Sequence, residues 1–126
     1  MIEEKKILIV DDSSMMRAII RGAFEKIGLR NIVESSDGVD ALKKLLGQDF
    51  DLIITDRNMP GMDGVTLVET VRSHSRYANI PILMVTTESE KETVIRALQK
   101  GVNGYIVKPF TPEILWEKAL PLLRGG

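Results

Sequence analysis

The chain has no cysteine and a single histidine, His74. Without cysteine there is no disulfide, no thiolate chemistry and no Cys-based zinc site, and the absence fits a reducing compartment. Neither sign of charge is in excess: 17 Lys and Arg stand against 18 Asp and Glu. Nothing therefore draws the chain as a whole to nucleic acid or to an anionic membrane. No apolar run is long enough to cross a bilayer. The opening Met1-Ile2-Glu3-Glu4-Lys5-Lys6 is charged where a signal peptide would be apolar. No internal repeat, low-complexity tract or linker interrupts the chain. These absences predict a cytoplasmic protein with neither a membrane nor a nucleic-acid partner. With 126 residues, 44% of them hydrophobic, residues 1–126 fit one domain around one core.

What is present is alternation. Ile7-Leu8-Ile9-Val10 is the short apolar run of a strand buried on both faces, and it ends on Asp11-Asp12. Asp12 or Ser13 is expected to cap a helix with Met16, Ile19, Ile20, Ala23 and Ile27 as its apolar stripe, Phe24 beside it and Gly28 as its stop. Residues 32–35 read as a second strand. Asp37-Gly38 opens a second helix with Val39, Leu42, Leu45 and Leu46 inward, ending at Gly47. A third strand over 52–55 ends on Asp56, and the Pro60/Gly61 turn that follows cannot continue it.

A third helix is expected over 65–72, with Val65, Leu67, Val68 and Val71 apolar. A polar stretch, 73–79, leads to a fourth strand over 82–85, closed by Thr86-Thr87-Glu88. Ser89 and Glu92 have the spacing of a capping box, which places a fourth helix over 90–100. Tyr105-Ile106-Val107 forms a fifth strand ending at Lys108-Pro109. Thr111-Pro112 then supplies a cap and a first-turn proline for a fifth helix with Leu115, Ala119 and Leu122 as its stripe. Pro121 should kink that helix or end it nearby. Five alternations of strand and helix specify an α/β fold with a parallel sheet and right-handed crossovers.

In such a sheet the carboxyl ends of the strands share one edge, where ligands bind. The residues delivered there are Asp11, Asp12, Asp56, Thr86, Thr87, Glu88 and Lys108. Clustered carboxylates repel one another and resist leaving water, so a cation or a basic partner must relieve them. Only oxygen ligands are on offer, which favours Mg²⁺ over Zn²⁺. Lys108 supplies a fixed positive charge for Asp56 or for an anion placed on it. Magnesium with lysine suits phosphoryl groups, and a carboxylate such as Asp56 can accept one as nucleophile. Each of these residues alone is more often a helix cap or a solvated charge. Their joint arrival at strand ends is what points to a site.

The motifs Ile9-Val10-Asp11-Asp12, Asp37-Gly38, Thr55-Asp56-Arg57-Asn58-Met59-Pro60-Gly61-Met62-Asp63-Gly64, Val85-Thr86 and Gly104-Tyr105-Ile106-Val107-Lys108-Pro109-Phe110 run in order over essentially the whole chain. In these the sequence closely resembles the receiver domains of two-component response regulators, especially the stand-alone CheY-like chemotaxis regulators. The resemblance implies a flavodoxin-like fold with strand order 2-1-3-4-5. It implies that Asp56 accepts a phosphoryl group from a phosphohistidine of a sensor histidine kinase. Asp12, Asp56 and the backbone carbonyl of Asn58 would hold Mg²⁺, with Asp11 acting through water. Lys108 would contact the phosphoryl group, and the bond before Pro109 would be cis. Thr86 would hydrogen-bond a phosphoryl oxygen, and Tyr105 would then turn from an outward to an inward position.

Asn58 and Glu88 occupy the positions that tune self-dephosphorylation in this family, and the Asn/Glu pair resembles the chemotaxis type. Thr87 departs from the Ala or other small residue usual beside the phosphoryl pocket, and its bulk would slow access or change dephosphorylation. The implied protein is a signalling switch rather than an enzyme, at most catalysing its own phosphorylation and slow autodephosphorylation. Its implied partners are a chemotaxis kinase and a flagellar motor switch protein, the latter reading the surface of the fourth helix, fifth strand and fifth helix. A phosphatase is a further candidate.

The alternatives are a phosphorelay intermediate, or the receiver piece of a longer regulator. A haloacid-dehalogenase-type phosphatase fits less well, because Asn58 stands where that class places a second Asp. A flavin carrier fits less well too, because Asp11-Asp12 would repel an anionic cofactor. Of the remaining residues, His74 is expected to be solvated and without catalytic role. Trp116 should pack in the core or at its rim, and Met59 and Met62 should fill apolar gaps.

Overall fold

Strand and helix alternate five times in a computed structural model that describes residues 2–125. A short 3₁₀ turn at Ile2–Glu4 leads into β1 (Lys6–Val10), α1 (Ser14–Glu25), β2 (Asn31–Ser35) and α2 (Gly38–Gly47). Then follow β3 (Leu52–Thr55), α3 (Gly64–Ser73), β4 (Ile82–Thr86), α4 (Lys91–Lys100), β5 (Gly104–Val107) and α5 (Pro112–Leu123). The strands form one parallel sheet in the order β2-β1-β3-β4-β5, the flavodoxin-like order.

The central strands are apolar at successive positions because both faces of the sheet are covered. Ile7 and Ile9 of β1, Leu52 and Ile54 of β3, and Leu83 and Val85 of β4 face a core completed by Ile20 and Phe24 of α1 and by Leu115 and Ala119 of α5. Leu8, Val10, Ile53, Ile82 and Met84 face the opposite way, onto Ala41, Leu45, Leu67, Val68, Val71 and Ala97 of the middle helices. The strand order reverses direction between β1 and β3, and that reversal opens the crevice at the carboxyl edge.

The helix starts follow their caps. Ser13, rather than Asp12, caps α1, its hydroxyl accepting from the Met16 N–H at 3.1 Å. Asp37, Asp63 and Thr111 accept in the same way at the starts of α2, α3 and α5, with Pro112 in the first turn of α5. The bond from Lys108 to Pro109 is cis.

Several expectations are corrected. On α1, Ile19 is exposed. On α2 the inward face is Gly38, Ala41 and Leu45, while Val39 and Leu46 are exposed. The small residues win because the helix packs closely there: a Cβ on Gly38 would lie 2.9 Å from the Met62 Sδ. Leu42 is left half-buried at the border. The Ser89/Glu92 capping box does not form, since the cap of α4 is Glu90 and makes no side-chain bond to the helix. In α5, Leu123 is buried and Leu122 only partly so. The helix runs through Pro121 and ends soon after, at Leu123. Pro121 removes the bond its N–H would make to the Glu117 carbonyl, and the helix has only two residues left to run beyond it. His74 is half-buried, one face stacked on the buried Tyr77 ring with centroids 4.1 Å apart, and so only partly solvated.

Candidate functional site

Val10 of β1 lies opposite Thr55 of β3, so Asp11 and Asp56 leave the sheet side by side. Their backbones continue the ladder: the Asp56 N–H donates to the Val10 carbonyl at 3.0 Å and the Asp11 N–H to the Ser35 carbonyl at 3.1 Å. Asp11 is 2% exposed and Asp56 9%, while Asp12 is open to solvent. One carboxylate oxygen from each of the three lies within 4.8 Å of the others.

Lys108 reaches this group from the end of β5. Its Nζ is 3.0 Å from Asp11 Oδ2 and 3.3 Å from Asp56 Oδ2. One ammonium faces three carboxylates, so the cluster carries surplus negative charge in a partly desolvated crevice. A hard divalent cation held by oxygen would balance it. The donors differ in availability. Both Asp11 oxygens already accept a hydrogen bond, Oδ1 from the Ser13 N–H at 2.9 Å and Oδ2 from Lys108. Asp56 Oδ1 accepts from the Arg57 N–H at 2.7 Å. Among the described residues nothing donates to the Asp12 carboxylate, which leaves it open to an ion.

The loop after Asp56 is shaped by two glycines and a methionine. Gly61 has φ +76°, a conformation that favours glycine. A Cβ on Gly64 would lie 2.1 Å from the Asp56 carbonyl, so only glycine lets α3 begin against the end of β3. The Gly64 N–H then donates to the Arg57 carbonyl at 2.8 Å. Met59 is buried and pins the loop, and Asn58 beside it is exposed. Both Met59 and Met62 pack onto the core, as expected of gap-fillers.

At the end of β4, Thr86 is fully buried and its hydroxyl takes only a long 3.5 Å contact from the Glu88 N–H. Thr87 is exposed. The Tyr105 hydroxyl donates to the Glu88 carbonyl at 2.8 Å. Of the two positions implied for Tyr105, the structure holds the inward one. Burial pushes its phenol above the usual range, with Arg57 opposing and Glu88 and Asp56 adding to the rise.

Sequence reasoning missed the arginines around the site. Arg17 donates to the Asp11 carbonyl at 2.6 Å and to Glu34 at 3.0 Å, and Arg21 donates to Glu34 at 2.7 Å. Burial would raise the Glu34 carboxyl, but the two guanidiniums, Arg21 ahead of Arg17, hold it below the usual range. The available signal was Glu34 itself, a charge inside a strand that has to find partners. Arg57, whose Nε lies 3.8 Å from Glu88 Oε2, gave no such signal. Trp116 packs at the rim and donates from Nε1 to the Ala23 carbonyl at 2.8 Å.

Comparison with known proteins agrees with this geometry. A family model described as the response regulator receiver domain matches residues 7–120. The chain is 53% identical over 114 residues to the chemotaxis protein CheY1 of Helicobacter pylori, covering 90% of this chain and 92% of that protein. It is 50% identical over 113 residues to the chemotaxis protein CheY of Pseudomonas aeruginosa, covering 90% and 91%. The solved structure of the chemotaxis response regulator CheY4 of Vibrio cholerae superimposes with a TM-score of 0.87 at 38% identity, covering 94% of this chain and 98% of that one. The signal receiver domain of a histidine kinase from Syntrophus aciditrophicus gives 0.88 at 30% identity, covering 96% and 91%. No helix among the described residues is long and apolar enough to cross a membrane.

Proposed function

The chain belongs to the response regulator receiver domain family as a CheY-like member, and on that premise we propose that it is a phosphorylation switch whose phosphoacceptor is Asp56. The observation that carries this reading is a strand-end carboxylate set against a largely buried ammonium: Asp56 Oδ2 lies 3.3 Å from Lys108 Nζ, beside two further carboxylates. A carboxylate oxygen of Asp56 attacks the phosphorus of a phosphohistidine on a sensor kinase. The O–P bond forms as the N–P bond breaks, and the imidazole nitrogen keeps the electron pair and takes up a proton.

Lys108 loses the charge of Asp56 to the new acyl bond and turns to the phosphoryl oxygens, which carry more. The Thr86 hydroxyl proton, not used in its contact with Glu88, donates to a phosphoryl oxygen and draws the β4–α4 loop inward. The oxygen donors fit Mg²⁺: Asp12, Asp56 and the Asn58 carbonyl would hold it, with Asp11 through water. When bound, the ion supplies charge neutralisation for the phosphoryl oxygens. Asn58, Thr87 and Glu88 would tune the rate at which water ends the signal.

Output is read from the surface. Ile95 and Leu98 of α4, Val107 of β5 and Ile114 of α5 are exposed apolar side chains on the three elements that a partner would read. Kinship with chemotaxis proteins supports a chemotaxis kinase as the donor and a flagellar motor switch protein as the reader. Intact-protein mass spectrometry after incubation with acetyl phosphate tests the chemistry. One phosphoryl addition is expected, dependent on Mg²⁺ and absent in Asp56→Asn. A folded wild-type protein that takes up nothing would overturn it.

A further inference from the structure

Arg57 has no part in the chemistry above, yet it touches both the phosphoacceptor and the loop after β4. Its backbone belongs to the phosphoacceptor loop, the N–H donating to Asp56 Oδ1 and the carbonyl accepting from Gly64. Its side chain crosses to the neighbouring loop, where Nε stands 3.8 Å from Glu88 Oε2. Its Nη1 is buried and finds no hydrogen-bond partner among the described residues. The Glu88 carbonyl in turn accepts the Tyr105 hydroxyl at 2.8 Å. Three residues from three separate segments therefore make one line, from the end of β3 through the β4–α4 loop to β5.

We propose that Arg57 is a positioning residue that clasps Glu88 and, through the Glu88 carbonyl, holds Tyr105 inward before any phosphoryl group arrives. The inference deepens the reading of Tyr105 as the switch and rests on it. A mostly buried guanidinium with one nitrogen bare depends on Glu88 for its counter-charge. If Glu88 swings out, Arg57 loses that partner and Tyr105 loses its acceptor together. The pull of Arg57 on the Tyr105 phenol, against the effect of burial, agrees with their closeness. A long, partly exposed ion pair is worth at most about 1 kcal/mol, so the clasp shifts the Tyr105 equilibrium by up to about fivefold.

The test labels the two tyrosines, Tyr77 and Tyr105, with ¹³Cζ in the full chain and follows them by NMR, with Tyr105→Phe to assign the signals. In Arg57→Ala the Tyr105 resonance should move toward the free-tyrosine position, with up to about a fivefold rise in the outward fraction. Arg57→Lys should return it part of the way. Glu88→Gln should move it similarly, and Arg57→Ala should add nothing once Glu88→Gln is present. An unmoved Tyr105 signal in Arg57→Ala overturns the proposal, as does an equal displacement in the Glu88→Gln background. The Tyr77 signal reports the fold; should it move in Arg57→Ala, Arg57→Gln keeps the side chain's length and decides the same question. No phosphorylation enters this test, so its failure is distinct from failure of the mass addition at Asp56.

Discussion

The corner where β2 meets α1 and the corner where β5 meets α4 lie at opposite edges of one sheet, and they are held in different ways. At the first, Glu34 takes Arg17 and Arg21, Lys44 donates to the Glu34 carbonyl, and Trp116 ties α5 to the Ala23 carbonyl. Helix α1 buries Ile20, Ala23 and Phe24. At the second, α4 buries only Ala97, lacks a side-chain cap and leaves Ile95 and Leu98 exposed. Segments that move in switching come from the low end of local stability, marked by few buried apolar contacts. Thr86, Glu88 and Tyr105 all border the loose corner. The difference would give the proposed switch a fixed side to work against.

The largest test of that contrast is Phe24→Ala. Removing a fully buried ring from the fixed corner should cost about 3–5 kcal/mol, read as a lower urea midpoint with the slope unchanged. Hydrogen exchange on the wild type should show the same order of firmness, with α4 amides exchanging well before those of α1. Equal protection in the two helices would break the comparison.

Next in size is Arg72→Met, aimed at the base of the loose corner. The Arg72 guanidinium donates to the carbonyls of Gly101, Ala78 and Ile80 and to Asn103 Oδ1, which itself accepts from the Ile82 N–H. Burial lowers the Arg72 pKa, which marks how far its charge has left water. Losing these donors strands several carbonyls at an expected cost of about 2–3 kcal/mol. The added exchange should appear in α4 and β5 and spare α1.

How much of this was legible in the sequence depends on the range of the interaction. Apolar runs ending on Asp11, Asp56 and Lys108 are local patterns, and they placed the strands and gathered the site. The caps at Asp37 and Thr111 are local too. The inward face of α2 was not, because Gly38 turns inward to meet Met62, which arrives from a different loop. Ser89 and Glu92 had the spacing of a capping box, but Glu90 became the cap. The partners of Arg57, Arg72 and Glu34 lie far off in sequence, and no periodicity points to them.

A smaller change should erase part of the contrast rather than exaggerate it. Glu90 caps α4 without accepting from the helix, so Glu90→Ser or Glu90→Asp should add a hydrogen bond worth about 1 kcal/mol. Slower exchange over the first turn of α4 is the expected result. If α4 must shift for Tyr105 to couple to Asp56, the capped variant should also respond less to phosphorylation. An unchanged response would mean that the helix start stays fixed while the loop before it moves.

The smallest effect concerns the fixed corner and asks whether charge or packing holds it. Glu34 has its carboxyl held below the usual range by Arg21 and Arg17. In the unfolded chain it binds its proton at the ordinary glutamate pKa, before the folded protein does as the pH falls. Its contribution is therefore complete above that ordinary value and is lost as acid carries the pH down through the folded one. Glu34→Gln should lower stability by about 0.5 kcal/mol near neutral pH, because the pairs are partly exposed and screened. The deficit should shrink at an acid pH, as wild type protonates the same carboxyl. Urea midpoints of both proteins at the two pH values measure it. A deficit this small beside that of Phe24→Ala would assign the rigidity of the corner to the apolar face of α1, with the arginines setting where β2 and Asp11 sit rather than how firmly.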